Sequence, residues 1–280
     1  MPGAAIFGIG GRMGQCLVRA LREAAPQPGV GTAGSQDGLQ LSGALASPSS
    51  ARLGQDAALE GPPTGIAVTS DALAALRGAS VAIDFSLPHC VWEHAQACLE
   101  QRTPLLVGAT GLDAGTHARL ETAARSIAVL IAPNTSLGVA VVTHLIALAA
   151  RALGPGYDAE ISEAHHRMKR DAPSGTALAW GAAIARSRGE ELSDIAVLGR
   201  QGAFGPRKPG SVGFASLRAG DIVGEHTALF AADGERIELT HRASDRMIFA
   251  RGALRAAAWL VGRPAGLYAM GHVLGLSGTL

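Results

Sequence analysis

The chain is poor in several residue types, and each scarcity limits what it can be. Three cysteines, none of them in a CxxC pair, argue against a disulfide framework. The aromatic fraction is 4% and the formal net charge is +1, with no basic stripe to suggest nucleic-acid binding. No apolar run reaches the roughly 18 residues that span a bilayer, and the N-terminus does not resemble a signal peptide. We therefore expect a soluble, cytoplasmic protein without a nucleic-acid or membrane partner.

Lysine is nearly absent. Only Lys169 and Lys208 occur among the 24 basic residues, and the other 22 are arginines. Either residue serves as solvated surface charge, but only the lysine ammonium, with a reference pKa of ~10.4, gives up its proton readily. Lys169 lies shortly after a pair of histidines, so we interpret it as a candidate proton donor. The alternative is a lysine that survived by chance in an arginine-rich composition.

The first half of the chain alternates between strands and helices, and 280 residues with 48% hydrophobic content are enough for two domains. Strands are predicted at 4–7, 39–45, 81–85, 105–107 and 128–132, and helices at 15–25, 89–101 and 116–126. Three of these strands end in small or polar turns at their carboxyl ends, where an open α/β sheet binds its ligands. The pattern predicts an N-terminal Rossmann-like, doubly wound α/β domain over 1–136, in which 29–65 forms long loops around one strand.

The first predicted strand runs straight into a glycine-rich turn that is followed by a helix. The turn reads Gly8-Ile9-Gly10-Gly11-Arg12-Met13-Gly14. Glycines at such a place let the backbone approach a pyrophosphate, which the helix N-terminus favours. Met13 occupies the third position of GxGxxG, whereas Gly8, Gly11 and Gly14 fit the spacing GxxGxxG. We predict a dinucleotide site, and the alternative is a purely structural tight turn.

The second half has a different pattern. After an apolar helix at 138–153, strands are predicted at 157–162, 195–198, 212–217, 225–230 and 236–240. Several alternate polar and apolar residues, as in a half-exposed, mostly antiparallel or mixed sheet. One helix at 177–188 interrupts them, with Ser174 as its cap and Gly189 at its end. We predict an α+β mixed-sheet domain for substrate binding and oligomerisation over 137–245, with 246–280, including an amphipathic helix at 246–261, completing the first domain.

The segment 163–177, EAHHRMKRDAPSGTA, carries the candidate chemistry. Residues 163–166 end a strand, 167–173 form a loop, and Ser174-Gly175-Thr176 begin a helix whose N–H groups suit a substrate carboxylate. His165 and His166 are adjacent, so on a strand they point to opposite sides and only one faces the reacting centre. Adjacent histidines without a clear carboxylate or cysteine partner make a poor zinc site, so no metal is predicted. The remaining alternative is a polar loop with a capped helix.

These segments together resemble the bacterial dihydrodipicolinate reductase family over nearly the whole chain. The matching segments are GIGGRMG (8–14), IDFS (83–86), VGATG (107–111), PNTSLGV (133–139), EAHHRMKRDAPSGTA (163–177) and RAGDIVGEH (218–226). The resemblance implies an enzyme that reduces 4-hydroxy-tetrahydrodipicolinate with NADPH or NADH in the diaminopimelate–lysine pathway. It also implies a small dicarboxylate as substrate and a homotetramer as the assembly.

The resemblance further implies roles for individual residues. His165 would give or take a proton, and Lys169 would protonate the ring during hydride transfer. His166, Gly175 and Thr176 would hold the substrate carboxylates. The residues expected to hold the nicotinamide cofactor are Gly8, Ile9, Gly10, Gly11, Arg12, Met13, Gly108, Ala109, Thr110, Ala132, Pro133, Asn134 and Thr135.

The sequence departs from the family where the adenosine ribose is read. An acidic residue usually follows the second strand, whereas Ala46-Ser47 stand there in this chain, after an apparent insertion at 29–38. Without that carboxylate a 2′-phosphate is not repelled, which favours NADPH, with Arg12, Ser47 and Arg52 near the phosphate. Two other functions stay open: a different nicotinamide oxidoreductase acting on another imine or small carboxylate, and a catalytically silent nucleotide-sensing protein.

Overall fold

The structure, a computed structural model, describes residues 1–24 and 38–276. In chain order its strands are β1 (Gly3–Phe7), β2 (Gln40–Leu45), β3 (Val68–Thr69), β4 (Val81–Asp84), β5 (Leu105–Val107), β6 (Ala128–Ile131), β7 (Asp158–His165), β8 (Ala196–Val197), β9 (Val212–Arg218), β10 (Gly224–Ala232), β11 (Glu235–Ala243) and β12 (Gly266–Tyr268). Its α-helices are α1 (Arg12–Ala24), α2 (Ala72–Ala75), α3 (Val91–Glu100), α4 (Ala114–Ala123), α5 (Leu137–Leu153), α6 (Gly175–Ser187), α7 (Leu192–Ile195), α8 (Met247–Leu260) and α9 (Met270–Val273). The insertion expected at 29–38 lies outside the described residues except for Gly38.

The described chain forms two compact units. One comprises Met1–Leu137 with Arg246–Gly275, and the other contains Gly138–Asp245. The chain thus returns to its first unit at Arg246, where α8 packs on α1, β4 and β5.

The first unit is built on a seven-stranded parallel sheet in the order β12-β6-β5-β4-β1-β2-β3. Every residue of β1, β4 and β5 is buried, as continuous apolar runs require in a sheet covered on both faces. Helix α3 contacts α4, and α1 contacts α8. This architecture confirms the prediction of a Rossmann-like α/β fold.

Several elements of this unit differ from the sequence-based expectation. Helix α1 begins at Arg12 rather than at residue 15, because the helix starts inside the glycine-rich turn, where the N–H of Gln15 already bonds the carbonyl of Gly11. The short elements β3, α2, β12 and α9 were not expected, since two to four residues are too few to show a periodicity.

The second unit is built on a five-stranded mixed sheet in the order β11-β10-β7-β9-β8. Strands β7, β8 and β9 pair in parallel, whereas β10 pairs antiparallel with both β7 and β11. The prediction of a mixed sheet is therefore confirmed. The stretch predicted as a strand at 157–162 and the strand end predicted at 163–166 form one strand, β7, which ends at His165 and whose last residues pair with β9 and β10.

Helix α6 lies on one face of this sheet and contacts β7, β9 and β10. The Ser174 side chain accepts a hydrogen bond from the N–H of Ala177 at 3.2 Å, which confirms the predicted cap. At the other end Gly189 has φ +73°, the left-handed conformation that ends helices. Trp180 of α6 is fully buried among Phe214, Phe230 and their apolar neighbours.

Among the described residues one helical stretch, Leu137–Gly156, is long and apolar enough to cross a membrane, with a mean hydropathy of 1.8. The expectation that no run reaches this length was therefore wrong. One such helix is weak evidence for a membrane span, because core helices of soluble proteins pass the same test. Ile146 and Ala150 pack into the core of the second unit, whereas Val141, Leu145 and Leu148 are about 40% exposed.

Candidate active site

The glycine-rich turn after β1 has two glycines that no other residue could replace without movement. Gly8 has φ +79°, and a Cβ atom on Gly14 would lie 2.6 Å from the carbonyl oxygen of Gly8. The N–H groups of Gly8 and Ile9 both donate to the carbonyl of Leu45 at 3.0 Å, which fixes the turn against the end of β2. These contacts support the GxxGxxG spacing, in which Gly14 permits the close approach of helix and strand.

The outer side of the same turn is open. A Cβ atom on Gly10 would meet only the side chain of Arg52, at 3.9 Å. Helix α1 has no acidic residue in its first turn, so its N-terminus carries the positive end of the helix dipole uncompensated. An exposed backbone turn at a helix N-terminus fits the pyrophosphate of a dinucleotide.

A cleft of about 360 Å³ opens at the carboxyl ends of β4, β5 and β6, beside the start of α1. Eight of the thirteen predicted cofactor residues line it: Arg12, Met13, Gly108, Ala109, Thr110, Pro133, Asn134 and Thr135. The other five, Gly8, Ile9, Gly10, Gly11 and Ala132, do not line it, and two of them, Ile9 and Ala132, have buried side chains. The rule that ligands bind at strand ends thus predicted where the cleft lies, but it did not predict all of the residues that line it.

Four residues of the cleft were missed by sequence reasoning: Phe85, Ser86, Arg246 and Phe249. Phe85 and Ser86 follow β4 directly, so the strand-end rule that found Gly108 could have found them. Arg246 and Phe249 come from the start of α8, and no local signal connects them with residues more than a hundred positions earlier.

The turn after β4 is held by a buried carboxylate. Asp84 is fully buried, and its Oδ1 accepts from the N–H of Ser86 at 2.8 Å. Its Oδ2 contacts Nδ1 of His94 at 2.8 Å. A Cβ atom on Gly108 would fall 2.4 Å from the ring of Phe85, so this ring lies directly against the Gly108 backbone. The Asp84 pair therefore keeps one wall of the cleft in place.

Strand pairing assembles the candidate catalytic group in the second unit. In the sheet register His165 is the partner of Arg218 on β9, and Glu163 is the partner of His226 on β10. Arg218 donates to both oxygens of Glu163, at 2.8 and 2.9 Å, and Nδ1 of His165 lies 2.5 Å from Glu163 Oε2. A carboxylate, an imidazole and a guanidinium thus form one buried hydrogen-bonded group.

The surroundings shift the pKa values of this group. Burial raises the pKa of Glu163, but hydrogen bonds led by the one from Arg218 outweigh it and hold the pKa at about 2. Burial lowers the pKa of His165, as do the positive charges of Lys169 and Arg218, while Glu163 raises it. Burial and then His165 lower the pKa of His226 to about 4. Near neutral pH, Glu163 is therefore charged and His226 is neutral.

His226 connects this group to the start of α6. Its Nε2 lies 2.9 Å from the hydroxyl of Ser174, while its Nδ1 is buried with no hydrogen-bond partner among the described residues. Ser174 also donates its N–H to Glu163 Oε1 at 3.3 Å. The rings of His165 and Trp180 pack on His226 with centroids 5.0 and 5.5 Å away.

The other predicted site residues lie around this group. Lys169 is in the loop after β7, with Nζ 2.9 Å from Asp171 Oδ1 and a side chain that is 22% exposed. His166 directly follows β7 and is half-buried, while Gly175 and Thr176 form the first turn of α6 next to Ser174. The roles of Glu163, Ser174, Arg218 and His226 in this group were missed, although all four lie in motifs that carry the family resemblance.

The ligand atoms of Glu163, His165 and His226 lie within 4.8 Å of one another, close enough for a metal ion. The expectation that the histidines lack a carboxylate partner was therefore wrong, because Glu163 supplies one. However, both oxygens of Glu163 already accept from Arg218, and His226 faces Ser174. A divalent cation would have to displace a guanidinium, so the donor set fits proton transfer better, and the absence of a metal stays a prediction.

The fold and the site define a class. A parallel sheet with a glycine-rich turn and a cleft at its strand ends has the architecture of nicotinamide-dinucleotide-dependent oxidoreductases. Family models described as "Dihydrodipicolinate reductase, N-terminus" and "Dihydrodipicolinate reductase, C-terminus" match residues 3–135 and 138–274. The chain belongs to the dihydrodipicolinate reductase family, as the sequence motifs predicted.

Relatives agree with this assignment. The chain is 49% identical to 4-hydroxy-tetrahydrodipicolinate reductase of Thiobacillus denitrificans, over 97% of this chain and 98% of the relative. It is 47% identical to the same enzyme of Neisseria meningitidis serogroup B, over 98% and 97%. The fold is similar to dipicolinate-bound dihydrodipicolinate reductase from Paenisporosarcina sp. TG-14, with a TM-score of 0.73, 23% identity and coverage of 96% and 97%.

Proposed function

We propose that this enzyme reduces 4-hydroxy-tetrahydrodipicolinate to tetrahydrodipicolinate at the expense of NADPH or NADH, as a step of the diaminopimelate–lysine pathway. The observation that carries the proposal is the buried Glu163–His165–Arg218 group beside the capped start of α6. It combines a proton-transfer residue with an anion-binding helix start in a chain whose relatives bear this reductase name. A bound nicotinamide supplies the hydride, and the residues of the chain supply positioning and the proton.

The first turn of α6 is the proposed carboxylate site. The first backbone N–H groups of an α-helix have no partners within the helix, and Gly175 and Thr176 are the first two residues of α6. We propose that Gly175, Thr176 and His166 together bind the carboxylates of a small dicarboxylate. The structurally similar enzyme from Paenisporosarcina sp. TG-14 has dipicolinate bound, and dipicolinate is itself a dicarboxylate.

His165 and Lys169 are the proposed proton-transfer residues. Negative charge develops on the substrate as a hydride arrives, and an adjacent proton donor stabilises that charge. Asp171 holds the Lys169 ammonium at 2.9 Å, but the Asp171 side chain is 60% exposed. An ion pair exposed to this degree contributes no more than about 1 kcal/mol, so the ammonium can turn to a bound substrate at little cost.

We further propose that NADPH is the preferred cofactor. Ala46 and Ser47 follow β2, so no carboxylate stands there to repel a 2′-phosphate. The side chain of Arg52 lies beside Gly10, where a Cβ atom would be 3.9 Å from it, and its Nε and Nη1 are buried without a hydrogen-bond partner among the described residues. Unpartnered guanidinium donors beside the glycine-rich turn suit a phosphate, and Arg12 adds a second exposed cation.

The proposed assembly is a homotetramer in which copies of the chain cover the exposed side of α5. Val141, Leu145 and Leu148 follow one another at helical spacing and stay about 40% exposed, although they are large and apolar. Light scattering of the purified protein tests this assembly. A monomer at micromolar concentration would contradict it, and Leu145→Glu should shift a tetramer toward smaller species.

The reaction is tested by cofactor oxidation with NADH and NADPH in parallel, with substrate generated in place from pyruvate and aspartate semialdehyde by the preceding synthase. Substrate-dependent loss of nicotinamide absorbance is the expected result. A folded protein that binds a nicotinamide cofactor but oxidises neither with this substrate would refute the proposal. It would favour an oxidoreductase for another imine or small carboxylate.

The cofactor preference has its own test by direct binding. Arg52→Gln should raise the dissociation constant of NADPH by about tenfold, the loss of one charge-assisted contact of ~1.4 kcal/mol, and leave that of NADH nearly unchanged. Arg22→Gln is the matched control, because both arginines donate to a backbone carbonyl of the segment between β2 and β3, Arg22 to that of Glu60 and Arg52 to that of Asp56, each at 2.7 Å. Equal weakening of both cofactors by Arg52→Gln would exclude a role in reading the phosphate.

A further inference from the structure

One buried carboxylate joins the proposed proton-transfer residue to the proposed substrate site. The Glu163 side chain is 1% exposed, and both of its oxygens are occupied. Oε2 contacts Nδ1 of His165 at 2.5 Å and Nη1 of Arg218 at 2.9 Å, while Oε1 contacts Nη2 of Arg218 at 2.8 Å and the N–H of Ser174 at 3.3 Å. A carboxylate this deeply buried is retained only where its partners compensate for the lost hydration.

We propose that Glu163 is a positioning residue that fixes the tautomer of His165, and that Arg218 keeps it charged for this purpose. The inference rests on the proposed function, in which His165 exchanges a proton with the substrate. A charged carboxylate only accepts hydrogen bonds, so Nδ1 of His165 must carry a proton. Every proton that His165 gains or loses is then carried by Nε2.

The backbone keeps this second nitrogen clear. A Cβ atom on Gly224 would lie 3.1 Å from Nε2 of His165 and 3.8 Å from Cε1 of His226. Nε2 of His165 has no hydrogen-bond partner among the described residues, in contrast to Nδ1. The imidazole is therefore held at one nitrogen and left available at the other, which is the arrangement that a general acid or base needs.

Arg218 offsets the repulsion between the Glu163 carboxylate and an anionic substrate. Ser174, which donates to Glu163, directly precedes the two residues proposed to bind the substrate carboxylate. An uncompensated carboxylate at that position would repel an anionic substrate. The two parallel hydrogen bonds from Arg218 neutralise Glu163 in place, and they also orient it. The register pairing of Arg218 with His165 makes this contact a direct consequence of the parallel β7–β9 pair.

The charged and titratable groups around His165 determine how its pKa responds to a substitution. They come from β7, the loop after it, β9, β10 and β11, and they are Glu163, Lys169, Asp171, Arg218, His226 and His241. Burial lowers the pKa of His165, Lys169 and Arg218 lower it further, and Glu163 raises it. Removing the charge of Glu163 therefore lowers the pKa of His165.

The test compares Glu163→Gln with Glu160→Gln by kcat and by its pH profile. Glu160 is the matched control, because it lies on the same strand, pairs with Arg200 at 2.7 Å and Arg207 at 2.9 Å, and does not touch His165. We expect Glu163→Gln to lower kcat by about 10²-fold, the low end of what acid–base catalysis contributes. The ionisation that disappears in His165→Gln should also move to lower pH in Glu163→Gln and stay in place in Glu160→Gln.

A uniform loss of kcat without movement of that ionisation would overturn the proposal, because a merely structural role predicts only the loss. If the wild-type enzyme lacks activity with this substrate, the proposed function is wrong. If it is active but the ionisation does not move in Glu163→Gln, only the proposal on Glu163 is wrong. Should Glu163→Gln not fold, nitrogen-15 NMR of the wild-type imidazoles decides, with His165→Gln for assignment. The expected signature is a proton on Nδ1 of neutral His165, and a proton on Nε2 would overturn the proposal.

Discussion

Acid should destabilise the mixed-sheet unit through His226. This residue is only 5% exposed, and its pKa falls from the usual 6.5 to about 4. Between these two pH values the imidazole of His226 is protonated in the unfolded chain but not in the folded one. The free energy of unfolding therefore decreases as the pH falls from 6.5 to 4. A difference of about 2.5 pKa units corresponds to roughly 3 kcal/mol, most of it lost by pH 4.5. Glu163, with a pKa of about 2, adds its loss only below pH 4.5.

The perturbation is His226→Gln, since an amide can still bond the hydroxyl of Ser174 but does not titrate. Urea unfolding at pH 7.5 and pH 4.5 measures the effect through the fluorescence of Trp180, whose ring lies 5.5 Å from that of His226. Trp92→Phe and Trp259→Phe remove the other two tryptophans and leave a reporter of this unit alone. His226 should make the wild type lose roughly 2.5 kcal/mol of unfolding free energy between the two pH values, and the loss in His226→Gln should be smaller by about this amount.

The matched control is His144→Gln, which removes another imidazole of the same unit outside this cluster. It should keep the wild-type dependence on pH. An equal loss of stability in wild type and His226→Gln would refute the reasoning. It would mean that His226 takes up its proton in the folded protein as easily as in the unfolded chain.

Three further predictions concern the reaction and its cofactor. Lys169→Ala should lower kcat by about 10²-fold or more, as the loss of an acid catalyst does, and leave the affinity for the cofactor nearly unchanged. Weaker cofactor binding in a fluorescence titration would contradict the proposed role of Lys169 in proton transfer. Thr176→Val should raise the substrate KM more than it lowers kcat in steady-state assays, and an unchanged KM would exclude Thr176 from the carboxylate site. Gly14→Ala should abolish tight dinucleotide binding in calorimetry or destabilise the first unit, because its Cβ atom would lie 2.6 Å from the carbonyl oxygen of Gly8. The control is Gly65→Ala, since a Cβ atom there meets open space and the substitution adds only the strain of its positive φ.

Local patterns predicted the elements that local physics controls. The buried runs of β4 and β5, the cap of α6 at Ser174 and its end at Gly189 were all predicted from neighbouring residues. These features depend on side-chain periodicity and on backbone groups a few positions apart. The elements that were missed, such as β12, are held by a partner strand far away in the sequence, and three residues of their own carry no pattern.

The same distinction applies to the site. His165 and Lys169 were predicted as proton-transfer residues because imidazole and ammonium groups can exchange protons. Gly108 was predicted as a cofactor residue because it follows the end of a strand. Glu163 was not recognised as the partner of His165, because the carboxylate is held beside this imidazole by Arg218, which lies 55 positions further along the chain.

The sequence by itself determined the family, the α/β and mixed-sheet classes and the residue types available for binding and proton transfer. Only the tertiary structure decided which of them meet. The parallel pairing of β7 with β9 and the antiparallel pairing of β7 with β10 bring Arg218 and His226 to Glu163 and His165. The return of the chain at α8 adds Arg246 and Phe249 to the cleft at the ends of β4, β5 and β6. The strand register and the packing of α8 on the first unit both depend on burying whole apolar faces of sheets and helices. No single stretch of the sequence carries this information.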